Sequence, residues 1–378
     1  MAALRTDILV VGGGIAGCAI AYFLSRQGAE VTLVEQHDVN SLASGSNAGS
    51  LHAQIPHEPF LLEGEGWARR FAPVVPLLVE SIALWKALSA ELGVDLEVTT
   101  PGGLLVAETD AEMNDIRRKS AIERASGLDV HLLGRQELES IAPYLTRNVA
   151  GAAFCPLEGK ANPLVATPAL AAKARAMGAR MLSRTTLVKL ETGPQGFVAT
   201  TDKGRIEARR VVNCAGAEAG RLAAQIGLDF AIDGFPIQVS VTEPVAPLID
   251  HLVYAAGDRL TLKQSHHGGF LIGGGWPARL DETTGRLQVD PKSLAGNLRV
   301  ALRLVPDLAG VQLLRTWPAI VNGTADWLPI LGETSSVRGF FMCVVPWLGF
   351  TGGPAAARLV ADQILGRKPP AGLASLLL

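Results

Sequence analysis

Residues 7–35, DILVVGGGIAGCAIAYFLSRQGAEVTLVE, limit what this chain can fold into more than any other stretch. Ile8 to Val11 form a continuous apolar run, as expected of a strand buried on both faces of a parallel sheet. Gly12, Gly14 and Gly17 follow with the G-x-G-x-x-G spacing, and a helical segment leads to a second apolar strand that ends at Glu35. Each glycine has its own physical reason. Gly12 permits a tight turn, Gly14 lets backbone approach a pyrophosphate, and Gly17 lets the helix lie close on the strand. The helix start offers unpaired N–H groups to phosphate, and Glu35 stands where an acid binds a ribose diol. A glycine turn in an ordinary βαβ unit would not account for Glu35. The segment therefore reads as a dinucleotide site.

At 378 residues the chain has room for two or three domains. Its 34 basic and 36 acidic residues are balanced and unclustered, which leaves no electrostatic footprint for nucleic acid. Apolar runs fall short of the roughly 20 residues a membrane helix needs. The first of them is already a strand, so a signal peptide is not expected. Cys18, Cys155, Cys214 and Cys343 are scattered, without a C-x-x-C pair or histidines at zinc spacing. They read as small buried hydrophobes in a reducing compartment, the cytoplasm, and no metal site is expected.

After Glu35 comes a Ser/Gly/Asn-rich loop, HDVNSLASGSNAGSLHAQ, too polar for a helix or a buried strand. Apolar residues at helical spacing predict one long helix over 64–92, kinked by Pro73 and Pro76. A strand is expected at 102–107, then helices at 110–126 and 163–176, the latter stopped by Gly178. Residues 180–216 alternate as strand, hairpin and strand, ending in Ala215-Gly216. Residues 226–322 are strand-rich around a helix at 291–304. The chain closes with a strand at 340–345, a glycine turn at 349–353 and a helix from Pro354 to Leu365.

Three glycine-bearing segments act together: 12–17, 214–216 and 349–353. The first suits a pyrophosphate, and a strand ending in Ala-Gly can close over the nucleotide. The third puts backbone N–H groups and a helix start where they suit an anionic ring. A reduced flavin carries negative charge near N1 and O2, whereas a nicotinamide has no use for such a site. FAD is favoured over NAD.

These pieces resemble the FAD-dependent amino-acid oxidase family, which includes D-amino acid oxidase, glycine oxidase and sarcosine oxidase. The matching segments are VVGGGIAG with VTLVE, ASGSNAGSLH, VVNCAGAEAG, and DWLPILGE with GFTGGPAAARLVADQI, in family order along nearly the whole chain. The loop SGSNAGSLHAQ is also similar to that of the smaller flavoprotein subunits of opine oxidase and D-hydroxyproline dehydrogenase. Members of that group often act with partner subunits that carry a second redox centre.

The resemblance implies an α/β (α+β) fold of the glutathione-reductase-2 or D-amino acid oxidase type. A Rossmann-like FAD-binding domain would be assembled from residues 1–93, 151–225 and 323–378. A discontinuous substrate domain, an antiparallel sheet over the flavin, would take 94–150 and 226–322. Candidate cofactor contacts at the first turn are Gly12, Gly14, Ile15, Ala16 and Gly17, with Glu35 and Gln36 at the strand end. In the flavin loop they are Ser44, Gly45, Ser46, Asn47, Gly49, Ser50 and Leu51. Val188, Cys214, Ala215 and Gly216 follow, and Gly349, Phe350, Thr351 and Gly352 meet the pyrimidine side. The implied chemistry is hydride removal from a carbon bearing an amine, delivered to flavin N5, with the imine then hydrolysing in water. It needs orientation and dry surroundings rather than a dedicated base if the neutral amine binds.

Two departures bear on the substrate. Glycine oxidase-like members carry an arginine for the substrate carboxylate in a Trp-x-Gly-x-Arg-Pro segment; TWPAIVNGTADW has Val321 there. Monomeric sarcosine oxidase bonds its flavin to a cysteine in this region, whereas no cysteine lies between Cys214 and Cys343, so FAD is expected to be non-covalent. Candidate substrate-side residues are His52, next to the flavin loop, and Lys263, which shares a strand face with Thr261 and Ser265. Arg279 is the cationic candidate left after Val321. Trp317, Trp327 and Trp347 are candidates for the pocket walls, Trp347 most of all because it adjoins GFTGGP. His266 and His267 sit at a hairpin tip, where solvent is the ordinary environment.

The leading expectation is an FAD oxidoreductase acting on a secondary amine or D-amino acid, such as D-hydroxyproline, a proline-like imino acid or an opine. The rival is a flavin-carrying subunit of a hetero-oligomeric dehydrogenase with little activity alone, motivated by Val321 and by the apolar tail ASLLL. An NAD dehydrogenase is disfavoured because nothing after residue 214 resembles a nicotinamide site.

Overall fold

The computed structural model describes residues 3–378. In chain order it begins β1 (Leu4–Val11), α1 (Ile15–Ser25), β2 (Val31–Val34), α2 (Ala43–Ser46), β3 (Ser50–Leu51), α3 (His57–Phe71) and α4 (Val75–Leu92). Then come β4 (Gly103–Ala107), α5 (Asp110–Ala125), β5 (His131–Gly134), α6 (Arg135–Ile141), β6 (Gly151–Cys155), β7 (Gly159–Lys160) and α7 (Pro163–Ala176). Four strands, β8 (Arg180–Leu182), β9 (Leu187–Gly193), β10 (Gly196–Thr201) and β11 (Gly204–Asn213), precede α8 (Ala219–Ala224). The remainder is β12 (Asp233–Pro244), β13 (Leu252–Ala255), β14 (Thr261–Gln264), β15 (Gly269–Gly273), β16 (Arg279–Leu280), β17 (Leu287–Gln288), α9 (Pro291–Leu304), β18 (Leu313–Gly323), β19 (Ile330–Glu333), β20 (Phe340–Val344) and α10 (Gly349–Ile364).

Two sheets organise the molecule. The first runs β19-β20-β11-β1-β2-β8, parallel from β20 to β8, with β10 and β9 extending antiparallel from β11. β1 shows why its run is apolar throughout: Ile8 and Val10 enter the core beneath α1, α4, α7 and α10, while Leu9 and Val11 enter a second core beneath α8. The second sheet runs β18-β12-β15-β14-β13-β4-β6-β5 and is antiparallel except where β13 meets β4. Leu104, Val106, Leu262 and Ile272 pack one face of it on Val300, Ala301 and Leu304 of α9. The opposite face looks toward the first sheet and forms part of a cavity. This is the mixed α/β architecture expected from the sequence.

Helix starts follow their caps. Thr109 accepts from Glu112 N–H at α5 (3.2 Å), and Asn162 accepts from Leu164 N–H at α7 (2.9 Å). Gly178, with φ +99°, ends the turn after α7.

Four expectations change. The helix over 64–92 is two helices beginning at His57: Gly64 leaves helical geometry at φ 75°, and residues 72–74 tighten into a 3-10 turn at Pro73. By length and composition His57–Leu92 is apolar enough to cross a membrane. It is broken twice, and it buries Trp67, Phe71, Trp85 and Leu88 in the core. The polar loop after Glu35 contains the short helix α2 and the buried strand β3, whose pairing with β7 supplies the backbone partners that its composition concealed. The last helix starts at Gly349 rather than Pro354, because Leu348 O already accepts from Gly352 N–H (2.9 Å). Residues 151–155 pair with β4 in the second sheet, so the boundary drawn at residue 150 falls inside that sheet.

The tail docks on its own chain. Leu377 bridges Leu331, and Leu378 N–H donates to Leu331 O at 2.8 Å. It therefore gives no support to a partner surface.

Candidate active site

At the first turn, Gly12 has φ +109°, and a Cβ there would lie 2.4 Å from Cys214 O. A Cβ on Gly17 would lie 1.9 Å from Gly12 O, the close helix–strand contact its position requires. Cys214 N–H donates to Val11 O (2.9 Å), which brings the end of β11 and residues Ala215 and Gly216 alongside the turn. Gly14 caps α1 without a side-chain hydrogen bond. Glu35 Oε2 accepts from Gly13 N–H (2.6 Å), Glu35 Oε1 from His37 N–H (2.8 Å), and Ser44 Oγ from Ile15 N–H (2.9 Å). The turn, Glu35, and Ser44 of α2 thus form one cradle, with Ala16 in the first helical turn. Gln36 is exposed at the strand end. Val188 is 61% exposed on β9, while Thr185, just before that strand, donates its N–H to Glu35 O (2.8 Å).

The flavin loop is fixed from within. Asn47 Oδ1 accepts from Gly49 N–H (2.7 Å), and Asn47 Nδ2 donates to Ser44 O (2.5 Å). A Cβ on Gly45 would meet Asn40 O at 2.0 Å, and one on Gly49 would meet Ala161 O at 2.2 Å. Ser50 and Leu51 pair with Lys160 and Gly159. Thr351 ties the loop to α10: its Oγ1 accepts from His52 N–H (3.0 Å) and donates to Ser50 O (3.1 Å). Its carbonyl accepts from Ser81 Oγ (2.5 Å) and Trp85 Nε1 (3.1 Å) of α4.

Beside this loop lies a cavity of about 1000 Å³. Ser46, Asn47, Ser50 and His52 form one wall, and Leu348, Phe350 and Thr351 at the start of α10 form another. Leu348 caps α10 without a side-chain hydrogen bond, so the first-turn amides, beginning at Gly349, give this end of the cavity a positive pole. Gly352 points elsewhere, since a Cβ there would meet Val345 and Leu78. Ile237, Val239, Ala319 and Val321 of β12 and β18 make an apolar face. Trp317 lines the same face, and its Nε1 donates to Ser46 O (2.8 Å). Trp327 and Trp347 stack at 4.8 Å, with Phe235 4.6 Å from Trp347. Trp347 adopts φ +59°, and its buried Nε1 has no partner. Gly323 leaves room for that ring, since a Cβ there would stand 2.6 Å from it.

His52 Nδ1 lies 2.6 Å from Tyr254 Oη. Burial, reinforced by the charge on Lys263, pushes its pKa down to about 3, so the ring is neutral. Lys263 is 2% exposed and donates to Ser50 Oγ at 2.7 Å, behind the flavin loop. Burial, and then Lys160, brings its pKa down to about 7. Arg279 is not brought into the site. It is exposed on β16 and paired with Asp290 at 3.1 Å, because the hairpin there turns outward. His267 faces solvent, 3.5 Å from Glu97. No cluster of potential metal ligands occurs among the described residues.

The cavity also has residues that the sequence alone did not reveal: Gln54, Lys119, Tyr254, Glu158 and, at the mouth, Glu58 paired with Arg259. Lys119 and Glu123 stand four apart on a helix whose composition reads as solvated, yet both are fully buried. The i,i+4 spacing suits an ion pair, but its burial comes only from packing against residues distant in sequence.

Comparison with known proteins agrees with this geometry. The family model for FAD dependent oxidoreductases matches residues 7–363. Glycine oxidase of Geobacillus kaustophilus is 30% identical over 369 residues, covering 95% of this chain and 93% of that one. The crystal structure of glycine oxidase from Geobacillus kaustophilus superposes with a TM-score of 0.87 over 99% of this chain and 98% of that one. An opine oxidase subunit of Rhizobium meliloti is 30% identical over 377 residues, covering 96% and 94%. The structure of L-proline dehydrogenase from P. horikoshii gives a TM-score of 0.86 at 26% identity, covering 98% and 96%. With its fold, its glycine cradle and its family match in agreement, the chain belongs to the FAD dependent oxidoreductase family.

Proposed function

We propose that this protein binds FAD non-covalently between the N-termini of α1 and α10 and oxidises a secondary amine or amino acid, with imino acids and opines the favoured class. The observation that carries this reading is the junction at Thr351, which fixes the flavin loop against the positive pole of α10 beside an apolar cavity. The cradle fits the cofactor, since Gly12 and Gly17 leave only backbone at the turn for its phosphates and Glu35, beside the turn, would take the ribose hydroxyls. When bound, FAD supplies a hydride acceptor at its N5. The α10 amides would stabilise negative charge that develops on the flavin ring when it is bound. Trp317, Trp327 and Trp347 exclude water and hold an apolar substrate body in place. His52, neutral at the loop, accepts or donates a hydrogen bond at the substrate nitrogen.

Val321 supports a substrate whose carboxylate is not gripped at that position. Arg259 is the one guanidinium among the cavity's described lining residues, and it stands at the mouth. The second carboxylate of a substrate such as an opine would reach Arg259 by replacing Glu58 as its partner. The non-covalent reading is supported by the absence of cysteine from the described lining. Four free, buried cysteines accord with a reducing cytoplasm.

The test is amine-dependent reduction of an artificial dye by the purified, FAD-loaded chain, with sarcosine, L-proline, D-hydroxyproline and octopine offered singly. Turnover with any of them supports the reading, and acid precipitation should leave the flavin in the supernatant. The second reading, a flavin-carrying subunit that needs a partner, is favoured by the similarity to the opine oxidase subunit. It predicts dye reduction only after a partner subunit is supplied.

A further inference from the structure

Behind His52 the cavity wall holds a buried polar chain that amine oxidation as described does not use. Tyr254 Oη lies 2.6 Å from His52 Nδ1, and Glu158 lines the same cavity; burial first, then the Glu158 charge, raises the Tyr254 pKa. Glu158 is fully buried. Its Oε1 accepts from Ala53 N–H (2.7 Å) and Gln54 N–H (2.8 Å), and its Oε2 accepts from Gln54 Nε2 (3.0 Å). Gly103 makes space for this acid, because a Cβ there would stand 1.9 Å from Glu158 Oε2. Burying a carboxyl this deeply is costly without full hydrogen bonding, and here donors surround it.

We propose that His52, Tyr254 and Glu158 form a proton relay that removes one proton from a protonated amine in the cavity and stores it on Glu158. The proposal rests on the amine-oxidising reading above. The relay starts from the ionised Glu158 carboxylate, which its three N–H donors favour, with the Tyr254 hydroxyl turned toward it. The tyrosine oxygen then accepts from His52 Nδ1–H, which leaves the Nε2 lone pair for the cavity. When an ammonium binds, one of its N–H protons moves to His52 Nε2. The Nδ1 proton passes to the tyrosine oxygen, and the tyrosine proton passes to Glu158. The products are a neutral amine, a neutral His52 in its other tautomer, an intact tyrosine and a carboxylic acid. Two opposite charges have cancelled and no bond to carbon has changed.

The electrostatics suit the relay. His52 cannot hold the proton itself, because burial and Lys263 on β14 keep it neutral. Burial raises the Glu158 pKa and its N–H donors and Lys119 offset part of that rise, so Glu158 is a stronger proton acceptor than an exposed carboxylate. The other groups facing the relay are Cys155 on β6 and Glu123 on α5, with His57 and Asp115 beyond Lys119. Lys119 is engaged by Glu123 and lies 3.4 Å from Gln54 Oε1.

Two measurements on the FAD-loaded protein test the proposal. The first needs no substrate: nitrogen NMR of the His52 ring near neutral pH. Wild type should show the Nδ1–H tautomer. In Glu158→Gln the new amide donates to Tyr254, which turns its hydroxyl to His52 and yields Nε2–H. The same tautomer in both proteins overturns the relay. The second is the rate of anaerobic flavin bleaching by sarcosine or L-proline against pH. Glu158→Gln and Tyr254→Phe should each lose about 100-fold near pH 7. Both should return close to wild type at about pH 10, where much of the amine is already neutral, and Glu158→Asp should recover part of the loss. A uniform loss across pH, or none near pH 7, refutes the proposal. If neither amine bleaches wild type, the amine reading fails by itself and the tautomer still decides the relay.

Discussion

The cofactor half of this molecule and its substrate half differ in how their sites are built. The cradle at Gly12–Gly17 depends on backbone: glycines leave no room for any side chain, and a helix start supplies the positive pole. Its parts lie within one βαβ unit, apart from Ser44 and the end of β11. The substrate wall depends on side chains from separated elements, among them Gln54, Lys119, Glu158, Tyr254 and Trp317. Backbone devices leave a fixed spacing in the sequence. Side chains that meet only through tertiary packing leave none.

The largest effect should come from Gly17→Ala. Its methyl group would stand 1.9 Å from Gly12 O, backbone that cannot move without opening β1. The protein should be recovered without FAD, if it folds at all, as read from its visible absorbance. Glu35→Ala comes next. Losing a charge-assisted contact to a ribose diol should weaken FAD binding by about 10- to 100-fold, measured by titrating deflavinated protein with FAD. An unchanged affinity would show that the acid only braces Gly13.

Lys263→Met addresses the border between the two halves. A lysine that titrates near 10.4 when unfolded and at about 7 in the fold holds more protons unfolded between those values. Stability of the wild-type protein should therefore climb as pH rises through that window, and the burial cost is fully present below about pH 7. The variant should lose this slope and melt a few degrees higher near pH 7, a gain on the order of 1–3 kcal/mol. A retained slope would assign it to other groups. Arg279→Ala should do least. As an exposed arginine paired only with Asp290, it should change stability by less than about 0.5 kcal/mol and leave turnover unchanged.

What the sequence made legible follows the same division. The strands, the two glycine-led helices and the order of segments could be read because apolar period and glycine spacing are local. The start of α10 was misplaced because Pro354 looks like a first-turn residue, yet it sits within a helix already begun at Gly349. Strand alternation puts Lys263 on a face with Thr261; in the structure it donates to Ser50 behind the flavin loop and is not among the residues lining the cavity. Arg279 could not be placed from sequence, because nothing local distinguishes a strand that turns into the cavity from one that turns out. Glu158 sits in an unremarkable PLEGK turn between two short strands. Its importance comes from Gly103, Gln54 and Tyr254, each distant along the chain.

The most direct test is an anaerobic absorbance spectrum of the FAD-loaded protein as sarcosine, L-proline, D-hydroxyproline or octopine is added. The account predicts that at least one of them bleaches the flavin band in the purified chain, with no nicotinamide present. A protein that takes up no FAD, or whose flavin is bleached by NADH and by none of these amines, would contradict it.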